Sequence, residues 1–241
     1  MGDSKKTVIV TGASKGIGAA IVHAFLGRGY NVVATSRNFS NSGFPALPNL
    51  AGVDGDIGDP ATAETLVQTA VRQFGSVDHL VNNAGIFKSK PFTDYTADDF
   101  RAFVHTNLEG FVLITRLVVK QMLSQGACGS VTTITASLAD NPIADEPASI
   151  AMMTKGGLNA VTRSLAIEYA RNNIRFNAVA PGVVDTSLHR GSPKDLLTSR
   201  SPMGAIAEPG DIANAVLYLT EASLVTGEVL HVDGGAHVGR W

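Results

Sequence analysis

The sequence has little cysteine, few aromatic residues and almost no excess of charge. Its 241 residues include one cysteine, Cys128, which excludes a disulfide scaffold and suits a reducing compartment. The net charge of −2 argues against a protein that binds nucleic acid by neutralising phosphates. Hydrophobic residues nevertheless make up 44% of the chain, which excludes intrinsic disorder and is ample for a large core.

Several targeting and site patterns are also missing. The chain has no apolar run of about 18 residues that would span a membrane. Residues 1–6 are polar, and Lys6 stands where a myristoylation motif starting at Gly2 requires Ser or Thr. The six histidines show no metal-ligand spacing with Cys128, and no Gly-x-Ser-x-Gly nucleophile elbow occurs. We therefore expect a cytoplasmic protein without a metal, which binds neither membrane nor nucleic acid.

Apolar strand-like runs alternate with amphipathic helix-like runs along almost the whole chain. Continuous Val/Ile/Leu strands between helices predict a parallel sheet covered on both faces. We predict one α/β domain over residues 1–241, a Rossmann-like, doubly wound sheet of about seven strands. Strands are predicted at residues 7–11, 31–36, 77–82, 130–135, 174–179 and 228–232, and helices at 16–28, from Pro60, and at 97–105, 110–124, 149–171 and 211–220.

A glycine-rich turn, Thr11-Gly12-Ala13-Ser14-Lys15-Gly16-Ile17-Gly18, joins the first predicted strand to the first helix. Glycines permit a tight turn and let backbone N–H groups approach a pyrophosphate, which the helix N-terminus also attracts. Because glycines also serve plain turns, the motif alone is weak. Its strand–turn–helix setting favours a dinucleotide-binding site.

The spacing Gly12-x3-Gly16-x-Gly18 resembles that of the short-chain dehydrogenase/reductase family. Later motifs strengthen the resemblance: Asn82-Asn83-Ala84-Gly85 follows the fourth strand, Pro181-Gly182 follows the sixth with Thr186 behind it, and Val232-Asp233-Gly234-Gly235 lies near the end. The resemblance covers essentially the whole chain. It implies hydride transfer between a nicotinamide and a carbonyl or alcohol. It also implies a homo-oligomer, dimer or tetramer, formed through residues 110–124 and 234–241.

The family's catalytic set of Asn, Ser, Tyr and Lys is only partly matched. Asn107 and Lys155 fit the family's positions, whereas Ser137 lies one residue from the expected serine position and Thr135 is the alternative. The tyrosine is expected four residues before Lys155, one helical turn away on the same face. That position holds Ala151, which exchanges no proton. Both an engineered and a natural loss of tyrosine remain open, and the atypical neighbouring residues favour a natural one.

The predicted cofactor is NADP(H). NAD-binding members of this fold keep an acidic residue at the end of the second strand. Here that strand ends in Ser36-Arg37, which together with Lys15 can bind a 2′-phosphate. The resemblance assigns Asp56-Ile57 to the adenine. The predicted cofactor-binding residues are Gly12, Ser14, Lys15, Gly16, Ile17, Gly18, Ser36, Arg37, Asp56, Ile57, Asn83, Ala84, Gly85, Lys155, Pro181, Gly182, Val184 and Thr186.

The missing tyrosine leaves the proton donor open. A positioned general acid contributes about 10²–10⁴-fold, so hydride transfer without it is slowed rather than forbidden. The candidate donors are a water held between Lys155 and Asn107, the loop residue His189, and the carboxylates Asp140, Asp145 and Glu146. The chain is therefore either an NADP(H)-dependent oxidoreductase with an atypical site, or an NADP(H)-binding protein without redox turnover. A non-redox reaction such as elimination or isomerisation is a third, weaker alternative.

The loop at residues 181–209 is rich in Gly, Pro and Ser, and such long loops in compact domains are commonly functional. We predict a substrate lid at residues 183–207. Its apolar residues, with two methionines that follow Ala151, favour a hydrophobic carbonyl substrate. These residues are Met152, Met153, Leu188, Leu196, Leu197 and Met203.

Overall fold

A computed structural model describes residues 5–239, and its strands form one seven-stranded parallel sheet. The spatial order is β3-β2-β1-β4-β5-β6-β7, and each neighbouring pair is parallel. The predicted doubly wound α/β sheet is thereby confirmed. Predictions that concern Gly2 and residues 240–241 lie outside the described residues. The strands are β1 (Thr7–Thr11), β2 (Asn31–Ser36), β3 (Leu50–Asp54), β4 (His79–Asn82), β5 (Gly129–Ile134), β6 (Ile174–Pro181) and β7 (Val229–Val232).

Helices cover both faces of the sheet, because successive strand residues point to opposite sides. Val8 on β1 belongs to one core cluster and Ile9 to the other. α1 and α7 pack on the first face, whereas α2 and α4 pack on the second, which also receives part of α5. The helices are α1 (Gly16–Gly27), α2 (Pro60–Phe74), α3 (Ala97–Phe103), α4 (Gly110–Gln125), α5 (Ser149–Tyr169), α6 (Lys194–Thr198) and α7 (Pro209–Glu221).

The two helices predicted at 97–105 and 110–124 form one continuous helical segment. A π-helical turn, Val104–Glu109, joins α3 to α4 and carries Asn107 inward. By length and composition alone, Ala97–Gln125 would suffice to cross a membrane. However, Ile114 and Val118 are fully buried against α2 and the sheet, so this segment is a core helix of the fold.

The loop of the predicted lid begins and ends at neighbouring backbone positions. Val184 forms a parallel bridge with Ala207, and the N–H of Asp185 donates to the Ala207 carbonyl at 2.8 Å. The N–H of Ala207 donates in turn to the Val183 carbonyl at 3.0 Å. Between these bonds lie a 3₁₀ turn, Ser187–His189, and α6, neither of which is predicted from the sequence.

Candidate active site

The structure gathers the predicted site residues at the carboxyl edge of the sheet. Gly12 follows β1, Asn83 follows β4, Ser137 follows β5 and Gly182 follows β6. The chain continues from β1 to β2 on one side and returns to β4 on the other, so this edge contains the topological switch point. Open α/β sheets bind ligands at such a point.

The glycine-rich turn packs directly against the segment that follows β4. A Cβ added at Gly12, where φ is +65°, would lie 2.8 Å from the Ala84 Cα, and one at Gly18 would lie 2.2 Å from the Gly12 carbonyl oxygen. Thr11 Oγ1 accepts the backbone N–H groups of Asn83 and Ala84 at 3.1 and 3.0 Å. Asn83 Nδ2 donates to the carbonyls of Thr11 and Gly12 at 2.9 and 3.0 Å. Only glycine therefore fits at residues 12 and 18.

The first turn of α1 offers free backbone donors to an anion. Its N-cap residue, Lys15, makes no side-chain capping bond, and Ser14 before it is only half-buried. Ile17 is partly buried and packs against the core, whereas the Thr186 side chain lies 3.4 Å from the position of a Cβ on Gly16. Uncapped helix N-termini favour phosphate, so this cradle fits a pyrophosphate.

The end of β2 carries a buried hydroxyl that lacks a hydrogen-bond partner among the described residues. Ser36 Oγ is buried and forms no hydrogen bond with any other described residue. Because an unsatisfied buried hydroxyl is costly, a ligand acceptor or donor at this point would stabilise it. Arg37 follows Ser36 in the chain, and both Arg37 and Lys15 are exposed. The residues present fit a phosphate group at the end of β2.

The segment after β3 packs against the π-helical turn. The Gly58 N–H donates to Asp56 Oδ1 at 3.0 Å, and the Asp56 side chain remains partly exposed. Ile57 is buried, and its Cγ2 lies 2.7 Å from the position that a Cβ on Gly110 would take. Asp56 and Ile57 are therefore held in fixed positions at the mouth of the site.

Lys155 on α5 is buried at the floor of the site. Its ammonium donates to the Ile134 carbonyl at the end of β5, at 2.7 Å. Burial lowers the pKa of Lys155 to about 8, because a charged ammonium loses solvation there. A Cβ added at Gly85 would lie 3.0 Å from Lys155 Nζ. The ammonium thus lies beside the Asn-Ala-Gly segment after β4.

Asn107 approaches the same segment from the π-helical turn. Its Oδ1 accepts the Ile86 N–H at 2.8 Å, and its Nδ2 donates to Thr154 Oγ1 at 3.0 Å and to the Ile86 carbonyl at 3.2 Å. The same Cβ position on Gly85 lies 3.3 Å from Asn107 Oδ1. Asn107 Oδ1 and Lys155 Nζ therefore converge on the same position beside Gly85.

Ser137 and Thr135 differ in how their hydroxyls are used. Thr135 Oγ1 donates to the Val179 carbonyl at 3.3 Å, so it is occupied within the sheet. Ser137 is the buried first residue of a 3₁₀ turn, and its hydroxyl forms no hydrogen bond with the residues that the structure describes. Of the two, Ser137 has the hydroxyl that is free to contact a ligand.

Ala151 is fully buried in a small apolar cluster with Phe103, Ala148 and Ile150. Tyr95 packs against this cluster, a contact that is not predicted from the sequence. Its hydroxyl donates to the Lys88 carbonyl at 2.5 Å and is therefore committed outside the site. Nothing in the sequence pairs residue 95 with residue 151, because the contact depends on the path of the loop after β4.

The candidate proton donors named from the sequence lie in different settings. His189 is half-buried in the 183–207 loop, and burial together with Arg200 lowers the pKa of its imidazole. Glu146 is ion-paired with Arg200, and Asp140 Oδ2 lies 3.1 Å from Nε2 of His231 on β7. Asp145 is exposed. Within residues 5–239 no cluster of His, Cys, Asp and Glu could hold a metal ion.

Comparisons with known proteins agree with this geometry. Residues 12–237 match the family model described as enoyl-(acyl carrier protein) reductase. A tropinone reductase homologue of Arabidopsis thaliana is 37% identical over 97% of this chain and 91% of its own length. The 3-oxoacyl-[acyl-carrier-protein] reductase of Salmonella typhimurium is 33% identical over 97% of this chain and 98% of its own. The chain belongs to the short-chain dehydrogenase/reductase family. Membership assigns it a general oxidoreductase role.

Solved structures of similar proteins contain nicotinamide cofactors. ElxO with NADP bound is 28% identical, with a TM-score of 0.89 over 96% of this chain and 98% of that one. A Tyr→Phe variant of ElxO with NADPH bound is 29% identical, also with a TM-score of 0.89, over 96% and 98% of the two chains. The 3-ketoacyl-(acyl-carrier-protein) reductase of Brucella melitensis, complexed with NADH, is 30% identical, with a TM-score of 0.88 over 97% and 98% of the two chains. This short-chain dehydrogenase/reductase therefore shares the architecture of cofactor-bound relatives over nearly its whole length.

Proposed function

We propose that the protein is an NADP(H)-dependent oxidoreductase that interconverts a carbonyl and an alcohol in an atypical site. The convergence of Lys155 Nζ and Asn107 Oδ1 on Gly85, beside the glycine-rich turn, is the observation that supports this function. When bound, the nicotinamide donates or accepts the hydride. In this proposal Ser137 orients the substrate carbonyl and Lys155 provides a buried positive charge. Asn107 holds the backbone of Ile86, next to Gly85, in place.

The proposed cofactor-binding residues are those predicted from the sequence. The glycine-rich turn holds the pyrophosphate, Asp56 and Ile57 contact the adenine, and residues 83–85 line the floor. Residues 181–186 would close over the cofactor. The Gly182 N–H donates to the Val232 carbonyl of β7 at 3.0 Å, and this bond holds one end of the segment, while Thr186 lies beside Gly16 in the glycine-rich turn. NADP(H) is preferred over NAD(H) because Lys15, Ser36 and Arg37 can share a 2′-phosphate.

Removal of the Arg37 guanidinium tests this preference. We expect Arg37→Ala to raise the Kd for NADPH about tenfold and to leave the Kd for NADH unchanged, because one charge-assisted contact to phosphate is lost. Titration of both cofactors by fluorescence measures the effect. Arg72→Ala, at the exposed end of α2, is the matched control. An equal rise in the Kd values for NADPH and NADH would show that Arg37 does not contact the 2′-phosphate.

A water held between Lys155 and Asn107 is the proposed proton donor, because Ala151 has no exchangeable proton. The Lys155 pKa of about 8 lets its ammonium give up and recover a proton near neutral pH. His189 is the alternative, since its loop reaches the cofactor side through Thr186. Glu146 and Asp140 are less suited, because Glu146 is ion-paired with Arg200 and Asp140 already contacts the His231 imidazole.

We propose that residues 183–207 form a lid over a hydrophobic substrate. Leu188, Leu196 and Met203 are exposed on it, and apolar residues that are exposed in a loop beside a cleft can cover an apolar ligand. The protein is further proposed to be a cytoplasmic homo-oligomer, dimer or tetramer, that binds neither membrane nor nucleic acid. Its proposed subunit contacts are residues 110–124 and 234–241.

A second function is favoured by Ala151 itself. The chain would then bind NADP(H) without redox turnover, as a sensor or as the inactive partner of an active subunit. The cradle for the cofactor does not depend on residue 151, and the Tyr→Phe variant of ElxO has NADPH bound.

NADPH consumption across a panel of ketones, aldehydes and diketones separates the two functions. Turnover of any carbonyl by the purified protein supports the oxidoreductase. Normal NADPH binding without turnover of any member of the panel supports the second function instead. Failure to bind NADPH or NADH would contradict both.

A further inference from the structure

An imidazole between two carboxylates lies on the outer side of the π-helical turn. His105 Nδ1 is 2.9 Å from Glu109 Oε2, one turn along the same segment. Its Nε2 is 3.5 Å from Asp56 Oδ1, on the loop after β3. The turn that directs Asn107 toward the floor of the site therefore also directs His105 toward the proposed adenine contact.

The loop after β3 is shaped to receive this ring. A Cβ added at Gly58 would lie 2.3, 2.4 and 2.6 Å from three atoms of the His105 ring. The Gly58 N–H also donates to the Asp56 oxygen that faces His105. The imidazole consequently rests on the backbone of residue 58, and any larger side chain there would displace it from Asp56.

The charges around His105 are mostly negative. The hydrogen bond with Glu109 is the main cause that raises the pKa of His105, partly opposed by burial, and Asp56 and Asp59 raise it further. These carboxylates come from the π-helical turn and from the segment that leads into α2. Arg101 of α3 lines a surface groove together with His105 and Glu109, but its guanidinium is paired with Asp98 at 2.7 Å. The surroundings therefore favour the imidazolium over the neutral ring.

We propose that His105 is a positioning residue for cofactor binding, which holds the Asp56 carboxylate toward the adenine only while the imidazole is protonated. This inference rests on the proposed NADP(H) function. A protonated ring presents an N–H to each carboxylate. A neutral ring keeps its proton on Nδ1, at the shorter contact with Glu109, and turns the Nε2 lone pair toward Asp56. Asp56 then loses its cationic neighbour and keeps only the Gly58 N–H.

The predicted consequence is a cofactor affinity that falls as His105 deprotonates. Because the side chains are partly exposed, the effect is modest: the Kd for NADPH rises about two- to fivefold more in the wild type than in His105→Gln as the pH increases. Ionisation of the 2′-phosphate, with a pKa near 6, acts in the opposite direction and is common to both proteins. The difference between the two profiles isolates His105.

Fluorescence titration of NADPH between about pH 5.5 and 9 tests the inference. Glu109→Gln removes the main cause of the raised pKa, so its affinity profile is expected to shift to lower pH. Glu64→Gln, at an exposed position of α2, is expected to leave the profile unchanged. Gly58→Ala keeps His105 but displaces its ring, and is expected to give the flattened profile of His105→Gln. Reduced nicotinamide mononucleotide, which lacks the adenine, is expected to show no dependence on His105.

The outcomes separate this inference from the proposed function. Identical profiles for the wild type and His105→Gln overturn the role of His105 while NADPH binding stands. Absence of NADPH binding at every pH contradicts the proposed function itself. If Gly58→Ala fails to fold, as judged by circular dichroism, the pH profile of Glu109→Gln decides between the outcomes. A Glu109→Gln profile that is not shifted to lower pH overturns the inference.

Discussion

Replacing Ala151 with tyrosine is expected to raise the rate of carbonyl reduction by about 10²–10⁴-fold, the usual contribution of a positioned general acid. The new phenol would stand one helical turn before Lys155, whose ammonium can stabilise a phenolate. Ser137 already offers a free hydroxyl for the carbonyl oxygen. The measurement is kcat for the best carbonyl substrate of the panel, or the first appearance of turnover if the wild type has none.

Ala151→Phe is the matched control, because it adds nearly the same volume without the hydroxyl. Ala151 is fully buried beside Phe103 and Ile150, so either ring must displace neighbours at a cost of about 1–3 kcal/mol. Both variants should therefore melt at a similarly lowered temperature. An equal gain of activity in the two variants would mean that packing, rather than proton donation, limits the wild type. No gain in a folded Ala151→Tyr that binds NADPH would argue against a site that lacks only its acid.

Lys155→Met is expected to abolish a pH dependence of stability that the wild type shows in alkaline solution. The pKa of Lys155 falls from 10.5 to about 8 on folding. Below pH 8 both states carry the proton; between pH 8 and 10.5 the unfolded chain binds it and the folded one does not. Stability therefore rises with pH across this window, by about 3 kcal/mol in total. Turnover, where present, should fall about 10²–10³-fold in the same variant.

Urea unfolding of the cofactor-free protein at pH 7.5 and 10.5 measures this effect as a difference between wild type and variant. Methionine keeps the apolar stem of the side chain and removes the charge, while other groups titrate equally in both proteins. Lys5→Met, at an exposed position before β1, is the control and should retain the full pH dependence. The difference in unfolding free energy between the wild type and Lys155→Met is compared at the two pH values. If it is the same at both, the buried ammonium keeps its ordinary pKa.

The framework of the fold is predictable because its signals are local. β1 and β2 begin and end at the predicted residues, since continuous runs of Val, Ile, Ala and Thr are typical of strands buried on both faces. α2 begins at Pro60, as the preceding Asp59 predicts, because proline suits the first position of a helix. β4 begins two residues later than predicted, because the Val77 N–H donates to the Gln125 side chain instead of a neighbouring strand.

The parts that were not predicted depend on contacts between distant residues. Asn107 and Gly110 resemble a helix break, yet the bonds from Asn107 to Ile86 stabilise a π-helical turn within one segment. His105 is the last residue of the helix predicted at 97–105, and only the position of the loop after β3 places Asp56 beside it. The catalytic roles assigned to Asn107, Ser137 and Lys155 remain predictions, for which the experiments on residues 151 and 155 are the tests.

The bonds that Asn107 and Lys155 make to the backbone have an evolutionary consequence. Asn107 satisfies the N–H and the carbonyl of Ile86, and Lys155 ties α5 to the end of β5. Mutation of either residue would leave partly or fully buried polar groups unpaired even in a lineage that no longer needs the chemistry. A descendant that loses its tyrosine can therefore keep both residues for as long as it folds. In such a descendant the helix–sheet contacts would preserve the appearance of a reductase even without selection for turnover.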